Sequence, residues 1–87
     1  MHWKQEKITT IMEILTEHYI DAKGLPCPLP VLRFKKFIKN LNSGEIVRIE
    51  ATDPDSVKDF ETFSEMKGFC ILAMENRDSV FRFDIKI

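Results

Sequence analysis

This sequence predicts an α+β protein: a two-layer α/β sandwich in the order βαβαββ, with a four-stranded mixed sheet and two helices on one face. Three observations predict it. Two stretches with apolar residues at helical spacing, residues 31–41 and 53–68, each lie between short strand patterns. The chain then closes with two strand patterns separated by a polar turn. Strand-to-parallel-strand crossovers are right-handed, which puts both helices on the same side of the sheet.

Residues 1–15 form an N-terminal extension. Ile8, Ile11, Met12 and Leu15 fall at the spacing of a short amphipathic helix, which Thr9 and Thr10 weaken. Two readings stay open: the first eleven residues are dispensable, or this helix covers a sheet edge or mediates pairing. The domain proper spans residues 16–87. It opens with a short strand over 18–22 that enters a turn at Lys23-Gly24. Val31, Phe34, Ile38 and Leu41 then make one helical stripe, widened by Leu32 and Phe37. Asn42-Ser43-Gly44 ends that helix, with Gly44 suited to a left-handed cap. Residues 45–51 alternate, with Val47, Ile49 and Ala51 on one face and Arg48 and Glu50 on the other, the pattern of a half-buried strand.

Asp53-Pro54-Asp55 is a helix start: Asp53 caps, Pro54 fits the first position and Asp55 suits the dipole. Val57 and Phe60, with either Ser64 or Phe63 and Met66, form its buried stripe, and Gly68 stops it. Residues 69–74 make a third strand and 75–79 a polar turn. Residues 80–87 alternate again. Phe81, Phe83, Ile85 and Ile87 face the core, while Arg82, Asp84 and Lys86 face out.

An 87-residue chain makes one small domain, with no room for a deep pocket or a bulky enclosed cofactor. The formal net charge of −1 gives no global argument for a nucleic acid or a membrane. No run approaches a membrane span, and the start lacks the apolar core of a signal peptide, so the cytoplasm is expected. The cysteines are Cys27 and Cys70. They lack the spacing of a metal site, and no metal or cofactor is expected. His2 and His18 are isolated and expected at the surface.

The chemistry-bearing stretch is Asp21-Ala22-Lys23-Gly24-Leu25-Pro26-Cys27-Pro28-Leu29-Pro30. Its three prolines restrict the backbone on both sides of one sulfur. The following helix starts either at Pro28, with Cys27 as its cap, or at Pro30, with Leu29 as its cap. In the first register the sulfur meets free N–H groups and the positive end of a helix dipole, which lowers a thiol pKa. The charges flanking Cys27 are Lys23, Arg33, Lys35, Lys36 and Lys39, whereas acids dominate residues 45–65. Both blocks serve as solvated helix faces; as a site, the first is a basic collar that stabilises a sulfur anion and steers an acidic partner.

No histidine completes a nucleophilic triad with Cys27. Cys70, remote in sequence, is expected as a small buried residue rather than a resolving thiol. A single exposed sulfur without catalytic helpers suits a group carrier, and a persulfide is a natural cargo.

The Asp21-Ala22-x-Gly24-Leu25-x-Cys27-Pro28-x-Pro30 element resembles that of the TusA, or SirA-like, family of sulfur carriers. The basic helix, Gly44-Glu45, Thr52-Asp53-Pro54 and the terminal aromatic strand extend the likeness over residues 19–87. The resemblance implies a βαβαββ sandwich with sheet order 1-2-4-3 and strand 4 antiparallel. It implies a sulfurtransferase in the broad sense, with Cys27 taking a persulfide sulfur from a cysteine desulfurase or rhodanese-type donor and relaying it to an acceptor protein. Known routes of the family lead to tRNA thiolation, molybdenum cofactor maturation, selenium metabolism and sulfur oxidation.

By the same match Asp21, Gly24, Pro28, Pro30 and Asp53 shape the loop; from the charge pattern, Lys23, Arg33, Lys35 and Lys36 stabilise an anion or bind a partner. Lys23 stands where the family often has arginine, and the N-terminal extension is longer than usual. No membrane and no direct nucleic-acid contact are expected. The rival reading is a non-catalytic regulatory or RNA- or protein-binding domain that uses the basic first helix.

Overall fold

The computed structural model of the chain describes residues 18–87. The expected N-terminal helix and His2 lie outside them. The elements run β1 (His18–Ala22), α1 (Leu29–Ile38), β2 (Ile46–Ala51), α2 (Ser56–Lys67), β3 (Cys70–Arg77) and β4 (Val80–Lys86). The four strands form one sheet in the order β1-β2-β4-β3. β1 and β2 are parallel, and β4 is antiparallel to both β2 and β3. The expected α+β sandwich is the fold.

Alternation decides which side of the sheet is covered. Ile20 and Ala22, then Val47, Ile49 and Ala51, then Phe83 and Ile85 point to one face and are buried. Both helices pack there. Phe34 of α1 meets Phe60 of α2 edge-on at 5.5 Å, and Phe60 lies on Phe83 of β4 at 4.9 Å. Such aromatic pairs add to the burial of their rings. Phe63 continues the row, edge-on to Phe34 at 6.0 Å and to Phe69 at 5.8 Å.

The other sheet face is open and carries charges in opposite pairs across neighbouring strands. Arg48 and Asp84 are register partners and bond twice, at 2.7 and 3.1 Å. Asp84 faces out as its place in the alternation predicts, yet it is only 5% exposed, because the Arg48 side chain lies against it.

Several boundaries differ from expectation for local reasons. α1 begins at Leu29 and ends at Ile38. The Leu41 N–H turns back to the Ile38 carbonyl at 3.0 Å, while the Asn42 N–H is taken by the Glu45 carboxylate. α2 begins at Ser56, after an Asp53-to-Ser56 turn, and Asp55 rather than Asp53 is its cap residue. Phe63 and Ser64 are both buried in α2, whereas Met66 is 77% exposed. The β3–β4 turn shrinks to Asp78 and Ser79, whose φ values of 53° and 66° fit a two-residue hairpin. Glu75 thereby joins the ladder opposite Arg82, and the two pair at 2.7 Å.

Cys70 is exposed, not buried as expected, on the outward side of β3 opposite Lys86. His18 is half-buried: its Nε2 meets Glu45 Oε1 at 2.7 Å and its ring stands edge-on to Phe37.

Candidate functional site

Parallel pairing of β1 and β2 brings the loops that follow them to the same edge of the sheet. The β1–α1 loop is fastened to the β2–α2 loop by side chains of the latter. The Asp21 carboxylate accepts the Lys23 N–H at 3.0 Å and starts the turn. Gly24 adopts φ +82°, a conformation glycine takes without steric cost, and donates its N–H to Thr52 Oγ1 at 2.9 Å. The Cys27 N–H donates to Asp53 Oδ2 at 2.7 Å, and the Asp55 N–H to Asp53 Oδ1 at 3.0 Å. Both oxygens of Asp53 are thus engaged by backbone, which holds its carboxyl below the usual range, the Cys27 bond contributing most.

The helix start follows neither expected register. Pro28 is the cap residue, Leu29 the first helical residue and Pro30, buried, the second. Cys27 lies one residue outside the cap, joined to Pro28 by a cis peptide bond. The Leu29 N–H is used by the Pro26 carbonyl at 2.9 Å, and Pro28 and Pro30 have no N–H. Of the donors that were to stabilise a thiolate, the prolines thus remove two, and the turn before the helix uses a third.

The half-buried Cys27 thiol turns instead to α2, where Sγ donates a hydrogen bond to Asp59 Oδ2. That bond, then loss of water contact and the negative charges of Asp59, Asp53 and Asp55, push the thiol up from 9.0 to about 11. This overturns the expectation of a low-pKa sulfur. A thiol that donates to a carboxylate is stabilised in its protonated form.

The basic residues do not form a collar on the sulfur. Lys23 points to the open sheet face, with Nζ 3.4 Å from Glu50 Oε1 and 3.9 Å from Asp21 Oδ1. Arg33 Nη1 donates to the Asp21 carbonyl at 2.9 Å and so braces the loop. Lys35 Nζ stands 5.8 Å from the centre of the Phe63 ring. Lys36 is exposed in the last turn of α1. Between the helices runs a groove of ≈ 380 Å³, lined among others by Pro28, Leu32, Lys35, Asp59, Phe63 and Met66. Cys27 does not line it, but Pro28, the next residue, and Asp59, the acceptor of the thiol, do, so Lys35 shares a groove with the partners of the sulfur without touching it.

Asp59 is the site residue that sequence reasoning missed, counted there only among the acids of a solvated face. Its signal was its position on α2, one residue before Phe60 and three after Ser56, both buried, which sets it at the rim of the packed stripe. No group of three metal-binding side chains occurs among the described residues.

Comparison with known proteins bears on this arrangement. Residues 18–87 match the family described as Sulfurtransferase TusA. The chain is 43% identical over 67 residues to the sulfur carrier protein TusA of Allochromatium vinosum, covering 77% of this chain and 88% of that protein. It is 34% identical over 71 residues to YrkI of Bacillus subtilis, a putative sulfur carrier protein, covering 82% and 95%. In structure it is similar to a SirA-like protein from Desulfitobacterium hafniense, with a TM-score of 0.71 and 28% identity over 79% of this chain and 95% of that one.

Proposed function

The chain belongs to the TusA family of sulfur carriers, and from that premise we propose that Cys27 Sγ is the atom that carries the sulfur. The observation that supports this most is the fastening of the Cys27 loop: Thr52 and Asp53 hold it from the β2–α2 loop and Arg33 from α1, while the thiol itself stays partly open. A carrier sulfur needs a fixed position and access for two successive partners. Cys70 has neither the loop nor the acidic neighbours. It starts β3, in register with Lys86 and thence Ile46, at the opposite end of the sheet from the Ala22–Ala51 pair that leads to the Cys27 loop. No intramolecular disulfide joins such a pair without disrupting the sheet.

In this reading a cysteine desulfurase or rhodanese-type protein presents a persulfide, Cys27 accepts its outer sulfur, and a downstream protein removes it. The exchange belongs to the reducing cytoplasm. The chain acts as an enzyme only in the broad sense of a relay, with most of the rate supplied by its partners. Asp21, Gly24, Pro28, Pro30 and Asp53 shape the loop. Lys23 and Arg33 act on the loop through Glu50 and Asp21, and Lys35 and Lys36 offer charge to a docking partner. The rival reading, a non-catalytic regulatory or RNA- or protein-binding domain that uses the basic first helix, is not favoured by the likeness to sulfur carriers.

Intact-mass measurement after incubation with an active cysteine desulfurase and cysteine tests the assignment. Wild type gains one reducible sulfur atom; Cys27→Ser does not, while Cys70→Ser does. Loading that survives Cys27→Ser and disappears in Cys70→Ser would refute it.

A further inference from the structure

We propose that Asp59 is the proton acceptor of the sulfur-transfer step: its Oδ2 holds the proton of the Cys27 thiol at rest and takes that proton as Sγ attacks. The inference rests on the reading of Cys27 as the carrier sulfur and deepens it.

Four observations single out Asp59. It is the side chain that accepts a hydrogen bond from Sγ. Asp53 cannot serve, because both of its oxygens are already occupied by the N–H groups of Cys27 and Asp55. Asp55 acts on the thiol through its charge, without a bond to Sγ. The Asp59 carboxylate also has no ion pair among the described residues, so nothing competes for it. The charged side chains that line the groove with it are Lys35 and Lys58, and Lys23 is turned away towards Glu50. The same geometry that raises the thiol's affinity for its proton supplies the base that removes it, which is how a weakly ionised nucleophile is activated.

The step balances without an oxidant or a reductant. Cys27 Sγ bonds to the outer sulfur of the donor's cysteine persulfide as the donor's S–S bond breaks. The electron pair leaves on the donor cysteine sulfur. The Cys27 proton passes to Asp59 and from there to the departing thiolate. One S–S bond replaces another, and the carrier holds Cys27–S–SH. Keeping the empty carrier protonated confines its reactivity to a docked complex in which the sulfur and the base are aligned.

The test uses Asp59→Asn, with Asp59→Glu and, as a control at an exposed α2 carboxylate outside the site, Glu61→Gln beside it, and two readouts. One is the pH profile of iodoacetamide alkylation, read on the Cys27 peptide. The other is single-turnover loading from a persulfidated rhodanese, read by intact mass. Removing the carboxylate should move the alkylation profile about one pH unit or more to lower pH. It should at the same time slow loading at neutral pH by about 10²-fold. Local unfolding would move both readouts in the same directions, so the opposite movement counts as the signature only in a variant whose urea midpoint matches wild type. Asp59→Glu should recover part of the loading, and Glu61→Gln should load at nearly the wild-type rate. Asp59→Ser repeats the test should Asp59→Asn fold poorly. An unmoved alkylation profile overturns the proposal, as does loading in Asp59→Asn that equals or exceeds wild type. Failure of wild-type Cys27 itself to load from rhodanese and desulfurase alike removes the carrier assignment, and this inference with it.

Discussion

Charges are handled in opposite ways at two places in this molecule. On the open face of the sheet they come as pairs: Arg48 with Asp84, Arg82 with Glu75, and Lys23 with Glu50. Around Cys27, Asp53, Asp55 and Asp59 act on one thiol, and no cation among the described residues pairs with any of them. The first arrangement ties strands together and leaves little net field. The second leaves a local negative field that sets the protonation of one sulfur, while Asp53 also holds the loop through the N–H groups it accepts. Paired charges act between strands, and the unpaired ones act on the loop and its sulfur.

The largest expected effect lies at the unpaired site. With its pKa lifted from 9.0 to about 11, Cys27 holds little thiolate near neutral pH. Two units correspond to about 100-fold less thiolate than an unperturbed thiol. Iodoacetamide should modify the Cys27 peptide more slowly than a free cysteine peptide by that order, with the rate climbing towards about pH 11. Equal rates at neutral pH would break the comparison at once.

Next comes the paired face. Asp84→Ala leaves Arg48 without its twofold bond and should cost about 1.5–3 kcal/mol in urea unfolding. The Cys27 alkylation profile should not move, because Asp84 stands on the other side of the sheet. A shifted profile would mean that the two regions are coupled.

A smaller effect follows acidification. The folded Asp53 carboxyl is depressed by the N–H groups of Cys27 and Asp55. Its contribution is therefore complete above the unfolded value of about 4 and is lost as the pH falls through the lower folded value. The amide resonances of Cys27 and Asp55 should move together in that acid window and stay put around neutrality. Amides that titrate separately would dissolve the shared carboxylate.

The smallest effect belongs to Lys23→Ala. Its pair with Glu50 is exposed, and Glu50 keeps the Tyr19 hydroxyl at 2.6 Å. The urea midpoint should stay close to wild type, and added salt should erase any difference. A large loss would show that Lys23 does more than screen the sheet face.

The architecture was legible because its signals are local. The alternation through Val47, Ile49 and Ala51 and the stripe of Phe34 and Ile38 specify faces without knowledge of neighbours. Element ends were less legible. Glu75 looks like turn sequence until Arg82 is placed opposite it, and Leu41 looks helical until Glu45 takes the next amide. At the site, the proline-flanked cysteine and the supporting Asp53 could be named from the chain. The sign of the pKa shift could not.

What the sequence determined by itself was the order of elements, the face each buries and the sulfur that the prolines isolate, since periodicity and proline stereochemistry act over a few residues. Only the tertiary structure decided which charges meet that sulfur. Asp59 is 32 positions from Cys27 along the chain and in hydrogen-bond contact with it in space, whereas Lys23, a near neighbour in sequence, points to the other face of the sheet. Electrostatic influence follows distance and exposure rather than sequence spacing, so a basic flank became an acidic site once the two parallel strands brought their loops together.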